Sequence, residues 1–138
     1  MSYATLRTMA PATASTESKE IQSHSILPEV KSEQEREYFI SSYRIVVVDN
    51  YARWCGPCKM IVEPLNALFQ KYHREGWFIL VKENAESSLP NRRVREKIRA
   101  VPCFHFYVNG NLVDTVMGAD VSVVEQKIVQ LFQQNGLN

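Results

Sequence analysis

One junction constrains this chain more than any other feature. Ile45-Val46-Val47-Val48 is an unbroken β-branched run that leads through Asp49 and Asn50 into Trp54-Cys55-Gly56-Pro57-Cys58. Beyond it, Ile61, Leu65, Leu68, Phe69 and Tyr72 recur at helical spacing until Gly76. A short apolar run without polar alternation is the pattern of a strand covered on both faces, as in the middle of an α/β sheet. Proline suits the first turn of a helix, where its missing N–H is no loss, and glycine suits the residue after the last turn. A Cys-x-x-Cys pair therefore falls where a buried strand turns into a helix.

The flanking pattern completes one domain. Residues 25–30 predict a short strand, at an edge or end because Pro28 cannot donate to a ladder. Ser32 and Glu35 form a capping-box pattern that opens a helix reaching about Ile40. Residues 78–82 predict a second interior strand, 91–98 a short polar helix and 103–108 a third central strand. Asn109-Gly110 is a two-residue hairpin signal, which returns 112–117 as an antiparallel strand. Ser122 and Glu125 form another capping-box pattern, and Val124, Ile128, Leu131 and Phe132 give the last helix its buried face. The order β-α-β-α-β-α-β-β-α predicts an α/β fold with a single mixed five-stranded sheet flanked by four helices.

Composition narrows the function classes. The 138 residues suffice for one core, and a net charge of +1 points to neither nucleic acid nor an anionic membrane as partner. Arg92, Arg93, Arg95, Lys97 and Arg99 cluster with Glu96 among them, which predicts a solvated helix face. No apolar stretch approaches the roughly 20 residues needed to span a bilayer. Residues 1–20 read as a flexible extension: 1–18 are rich in Ala, Ser and Thr, with Arg7 the one basic residue and no acid before Glu17. Ser-rich, acid-poor composition also fits an organelle transit peptide, whereas a secretory h-region is missing. The folded domain is expected over 21–138.

Three cysteines are too few, and odd in number, for a disulfide scaffold, so the Cys-x-x-Cys points to redox chemistry or metal. Unpaired N–H groups at a helix start carry partial positive charge and stabilise a thiolate. That lowers the pKa of Cys55 from about 8.5 toward neutrality and makes it the expected nucleophile. Cys58, one turn later, is placed to attack the mixed disulfide formed by Cys55. Gly56 leaves the approach sterically open. The competing site is zinc, because Cys103 and His105 are two apart on one strand and face the same side with Cys55 and Cys58 elsewhere. The Trp before and the Gly-Pro inside the pair favour an exposed redox turn, so no metal is expected. Asp49, at the end of a buried strand, either faces water or is desolvated with a raised pKa, and beneath the cysteines it could take and return the proton of Cys58. Lys82, on the next strand, is its expected charge partner. Pro102, from spacing alone, is a breaker before a central strand.

These residues resemble the thioredoxin family. Residues 47–61 match its strand-to-helix segment, and Lys82, Asn84, Ile98, Arg99, Val101-Pro102, Phe104, Phe106, Asn109-Gly110 and Gly118-Ala119 follow in its order over about 25–135. The resemblance implies the thioredoxin fold and reduction of protein disulfides, with Cys55 attacking, Cys58 resolving and the pair cycling as a redox-active disulfide. It implies that Asp49 assists proton transfer with Lys82 as partner. Pro102 is implied to be a cis-proline packed on the disulfide, blocking metal capture. Trp54, Gly56, Pro57, Val101, Pro102, Gly118 and Ala119 are implied to bind substrate. No cofactor is implied to be bound; electrons are implied to come from an NADPH-dependent thioredoxin reductase, and partners are that reductase and disulfide-containing clients. A cytoplasmic monomer is expected, or a mitochondrial one if the extension is a transit peptide.

Five residues depart from the family pattern. Tyr51 stands where Trp is frequent, Asn50 where an apolar aromatic is usual, and Pro64 one position later than the family's helix proline, with Glu63 in its place. Cys103 replaces the Thr that normally follows the cis-proline, and is either a small buried thiol or a third redox thiol. Two other functions remain to be weighed: a disulfide isomerase or oxidase domain, disfavoured by the proline where those carry His, and a binding subunit indifferent to redox state.

Overall fold

The computed structural model describes residues 24–86 and 92–137, so the N-terminal extension lies outside the described residues. Five strands form one sheet: β1 (Glu29–Val30), β2 (Ile45–Tyr51), β3 (Phe78–Asn84), β4 (Cys103–Val108) and β5 (Asn111–Met117), in the order β1-β3-β2-β4-β5. β1 and β2 flank β3 in parallel, while β4 runs antiparallel to both β2 and β5. The β-branched run thus lies in the central strand, buried from Ile45 to Asn50. Asn109 and Gly110 both take positive φ, as the predicted hairpin turn requires.

Helices cover both faces. On one side, α3 (Val62–Tyr72) and α5 (Val121–Gln134) pack Leu65, Leu68, Val124, Ile128 and Phe132 against Ile45, Val47, Leu80, Phe104 and Phe106. On the other, α1 (Glu33–Ser42) brings Phe39 onto Val46, Val48, Ile79 and Val81. These alternating side-chain sets follow from the two-residue strand period. Ser32 caps α1 by accepting the Glu35 N–H at 3.1 Å, and Glu35 Oε1 accepts the Lys31 N–H at 2.8 Å.

Several sequence expectations need correcting. Among the described residues five helices form rather than four, because the helix expected after Pro57 is broken at Ile61 into α2 (Gly56–Met60) and α3. Pro64 has no N–H to bond the carbonyl of Met60, four residues earlier, and its ring would crowd that carbonyl. The break falls at that turn, and Leu65 N–H restarts the ladder on Ile61 O at 3.0 Å. The last helix is capped by Asp120, not Ser122: Asp120 Oδ1 accepts the Ser122 and Val123 N–H groups at 3.1 and 3.4 Å. Glu125, freed from capping, accepts Lys71 Nζ at 2.9 Å.

The polar helix shrinks to one turn, α4 (Arg92–Arg95), and it is not simply solvated. Arg95 is exposed, but Arg92 is 1% exposed and sits in a buried ionic cluster beneath the sheet end. Glu83, fully buried, accepts Arg36 Nε at 2.9 Å and lies 3.2 Å from Arg92 Nε. Glu96 joins both arginines at 3.2 Å. The cluster gives each buried charge an opposite partner, which a low-dielectric interior demands.

Candidate active site

The end of β2 delivers the site. After Tyr51 the chain turns through Ala52, Arg53 and Trp54, and Cys55 becomes the N-cap of α2. Its Sγ accepts the Cys58 N–H at 3.1 Å, so a helix-start donor points at the first sulfur. Cys55 and Cys58 form a disulfide, with their Cα atoms 5.3 Å apart. In this state both are nearly covered, at 2% and 7% exposure. Burial therefore does not distinguish the two sulfurs; position at the helix start does.

The turn before β4 and the end of β5 lie around the pair. The Val101–Pro102 peptide is cis, and the Val101 carbonyl oxygen lies 3.6 Å from Cys55 Sγ. Pro102 O accepts the Gly118 N–H at 2.9 Å, which ties the turn before β4 to the end of β5. Trp54, Gly56 and Pro57 are exposed, while Val101, Gly118 and Ala119 are half-buried. Trp54 is 64% exposed, yet its ring is oriented: Nε1 donates to Glu86 Oε1 at 2.9 Å, and Glu86 is held in turn by Arg93 Nη1 at 3.0 Å. Nothing in the spacing of Glu86 from Trp54 signalled that contact, because the two are 32 residues apart.

Asp49, near the end of β2, is on the side of the sheet that carries Cys58. A cleft of about 350 Å³ is lined by Asp49, Cys58 and Lys82 together. Asp49 Oδ1 is buried with no hydrogen-bond partner among the described residues. Burial pushes the carboxyl from 3.8 up to about 7, with the Lys82 charge pulling the other way. Lys82 is Asp49's direct neighbour across the β2–β3 ladder, and its Nζ stands 5.6 Å from the Tyr51 ring centre. Tyr51 covers the cleft from the side, its hydroxyl donating to Glu29.

That shift has a stability consequence. The unfolded chain releases the Asp49 proton near pH 4, whereas the folded chain holds it to about pH 7. Across that window the folded state binds the extra proton, so rising pH removes stability, and the loss levels off above about pH 7. Asp49→Asn is therefore expected to match wild type near pH 4 and to exceed it by a few kcal/mol at pH 8. Urea denaturation at both pH values measures this. An equal difference at the two would mean that the carboxylate is not desolvated.

Cys103 and His105 face the opposite side of the sheet. The register sets Cys103 beside Asn50, and Phe104 beside Asp49. Asn50 ties this face together: Oδ1 accepts Arg92 Nη2, and Nδ2 donates to Cys103 O at 2.9 Å and lies 3.1 Å from His105 Nδ1. With Nδ1 accepting, the imidazole proton belongs on Nε2, which lies 3.7 Å from Cys103 Sγ. The polar residue at position 50, a departure from the family pattern, thus links the ionic cluster to the backbone beside Pro102. Burial raises the Cys103 thiol to about 11 and lowers His105 to about 4, so no thiolate–imidazolium pair forms. Among the described residues, no group of three or more His, Cys, Asp or Glu is arranged to hold a metal.

A fully buried thiol with a high pKa should be inert. Iodoacetamide on the reduced native protein is expected to spare Cys103, whose carbamidomethyl group appears only after denaturation. Mass spectrometry reads the count, and three additions under native conditions would make Cys103 an accessible thiol.

A disulfide at the N-cap of a helix, beside a cis-proline and above a buried carboxyl, defines a dithiol–disulfide exchange protein. A profile of the thioredoxin family matches residues 27–131, and the chain belongs to that family. It is a protein-disulfide reductase of the thioredoxin type. It is 37% identical over 99 residues to thioredoxin 1 of Plasmodium falciparum, covering 72% of this chain and 91% of that one. It is 31% identical over 104 residues to thioredoxin-1 of Saccharomyces cerevisiae, covering 75% and 96%. Oxidised mitochondrial thioredoxin 3 of Saccharomyces cerevisiae superposes with a TM-score of 0.68 at 29% identity, over 75% of this chain and 94% of that one. No helix among the described residues is long and apolar enough to cross a membrane.

Proposed function

We propose that the reduced protein opens client disulfides in two displacements with fixed roles. The Cys55 thiolate attacks one sulfur of the client, forming a mixed disulfide, and the client's other sulfur leaves as a thiolate that takes a proton from water. Cys58 then gives its proton to the Asp49 carboxylate and attacks Cys55 Sγ. The Cys55–Cys58 disulfide forms and the second client thiolate leaves, taking up a proton. The client gains two electrons from the dithiol and two protons, one from water and one that Cys58 passed to Asp49; the Cys55 proton had already gone to solvent when its thiolate formed.

The observation that carries this assignment is the Cys58 N–H aimed at Cys55 Sγ at 3.1 Å. It stabilises charge on Cys55 in the free dithiol and whenever Cys55 leaves a mixed disulfide. Asp49, whose carboxyl titrates near neutrality in the cleft shared with Cys58, suits a proton shuttle there, and Lys82 moderates its shift. Trp54, Gly56, Pro57, Val101, Pro102, Gly118 and Ala119 surround the pair and would hold the client segment. Insulin reduction with dithiothreitol as electron source tests the function. Wild type is expected to precipitate the insulin B chain well ahead of the Cys55→Ser/Cys58→Ser double variant, and equal rates would reject it.

The electron donor we assign is an NADPH-dependent thioredoxin reductase, with the protein acting as a monomer. Coupled NADPH oxidation measures the first, and sedimentation velocity the second. No NADPH consumption, or a dimer at micromolar concentration, would reject them respectively. We place the protein in the cytoplasm. A fluorescent fusion with and without residues 1–20 discriminates, since mitochondrial import that depends on that segment would make it a transit peptide.

A further inference from the structure

Three cations converge on one side of the disulfide. Arg53, Lys59 and Lys82 line the cleft of about 350 Å³ whose inner end is Cys58 and Asp49, with Val62 and Leu65 contributing its apolar wall. None of the three enters an ion pair among the described residues. The acids nearby are otherwise engaged. Glu29 accepts the Tyr51 hydroxyl, Glu86 holds Trp54 and Arg93, and the Asp49 carboxyl keeps its proton to about pH 7. Three cations against the one acid Asp49 give the cleft of a chain of net charge +1 an excess of positive charge beside its redox centre.

Such an arrangement has a physical reading. A concave surface of one sign with apolar walls focuses its field, raises the local concentration of oppositely charged groups and speeds their encounter. The apolar wall and the volume of the cleft suit a peptide side chain with its methylene stem, rather than a bare ion. We propose that this cleft receives an acidic client segment: an Asp or Glu side chain flanking the client's disulfide enters between Arg53, Lys59 and Lys82 while the disulfide meets Cys55. The inference rests on the reductase reading above and adds the class of client. Lys59 follows Cys58 directly and Arg53 precedes Trp54, so a carboxylate held between them lies within a residue or two of the reacting sulfurs. Charge at the cleft selects among clients before any sulfur chemistry occurs.

Stopped-flow reduction of three disulfide-looped peptides by the full-length dithiol protein tests this. The peptides differ only in flanking Glu-Glu, Gln-Gln or Lys-Lys pairs, and released thiols are counted after acid quench. For wild type the acidic-to-basic ratio of second-order rate constants is expected to be about tenfold at low salt. It should fall toward one at about 0.5 M salt, where screening shortens to a few ångströms. Arg53→Gln/Lys59→Gln should bring the ratio near one, and Arg53→Glu/Lys59→Glu should invert it. Because each ratio is taken within one protein, a general loss of activity cancels. A wild-type ratio of one, or a ratio that survives in both double variants, overturns the proposal. Glutathione disulfide reduced as fast as the acidic peptide would make the cleft a small-anion site and overturn it as well. Failure to reduce even the Gln-Gln peptide would instead count against the reductase reading itself.

Discussion

Cys55→Ser is expected to abolish insulin reduction, lowering the catalysed rate by roughly 10³-fold or more, down to that of dithiothreitol alone. The size of the loss follows from what the position supplies. An ordinary thiol of pKa about 8.5 is only about 3% ionised at pH 7, and a helix-start donor that brings it near 7 makes about half of it thiolate. Serine keeps the N-cap, since its oxygen can accept the Cys58 N–H as the sulfur does at 3.1 Å. The fold is therefore retained while the nucleophile is lost. Stopped turnover with an unchanged urea midpoint in the reduced state is the expected pair of results. A variant retaining more than about a tenth of wild-type activity would move the nucleophile elsewhere.

The second large effect concerns stability. Glu83→Ala is expected to destabilise the protein by about 3–5 kcal/mol, the range seen when one partner of a buried ion pair is deleted. Glu83 is the carboxylate between Arg36 and Arg92, all three nearly or fully buried. Its removal leaves two buried guanidinium groups sharing Glu96 alone, and Arg92 Nη1 already has no hydrogen-bond partner among the described residues. Equilibrium urea denaturation reads the change as a lower midpoint at similar slope. The loss should also loosen the redox end of the molecule. Arg92 donates to Asn50, Asn50 donates to Cys103 O, and Cys103 follows the cis-proline. A change below about 1 kcal/mol would mean that water reaches the cluster and solvates the arginines.

The contrast between these two sites explains what could be read from the chain alone. The β-branched run, the hairpin at Asn109-Gly110 and the strand-to-helix cysteines are local patterns, each set by residues within a few positions, and the structure reproduces them. Asp49 was half legible: its address at the end of a buried run left facing water and desolvation both open, and its burial in the cleft with Cys58 and Lys82 comes from nonlocal packing. Arg92 was not. Its neighbours in sequence are charged and look solvated, whereas the residues that bury it, Arg36, Asn50 and Glu83, lie on α1, β2 and β3. A nonlocal ion cluster leaves no period in the sequence. Pro64 was visible, but a single helix read from the spacing of Ile61 to Tyr72 ignored the loss of its bond to Met60, which ends α2 outright. At the start of α5, Ser122 and Asp120 are both good caps. Two residues' difference in register decided between them, because Glu125 is drawn to Lys71 and Tyr72 on α3.

Trapping the intermediate tests the central claim most directly. Reduced Cys58→Ser, mixed with an excess of an oxidised client peptide, is expected to accumulate a stable mixed disulfide through Cys55, because the resolving sulfur is gone. Cys55→Ser treated identically is expected to accumulate none above background. Intact-mass and peptide mapping identify the linked cysteine. An adduct on Cys58 in the Cys55→Ser protein, formed as fast as the one on Cys55, would contradict the assignment of attack to the sulfur at the start of the helix.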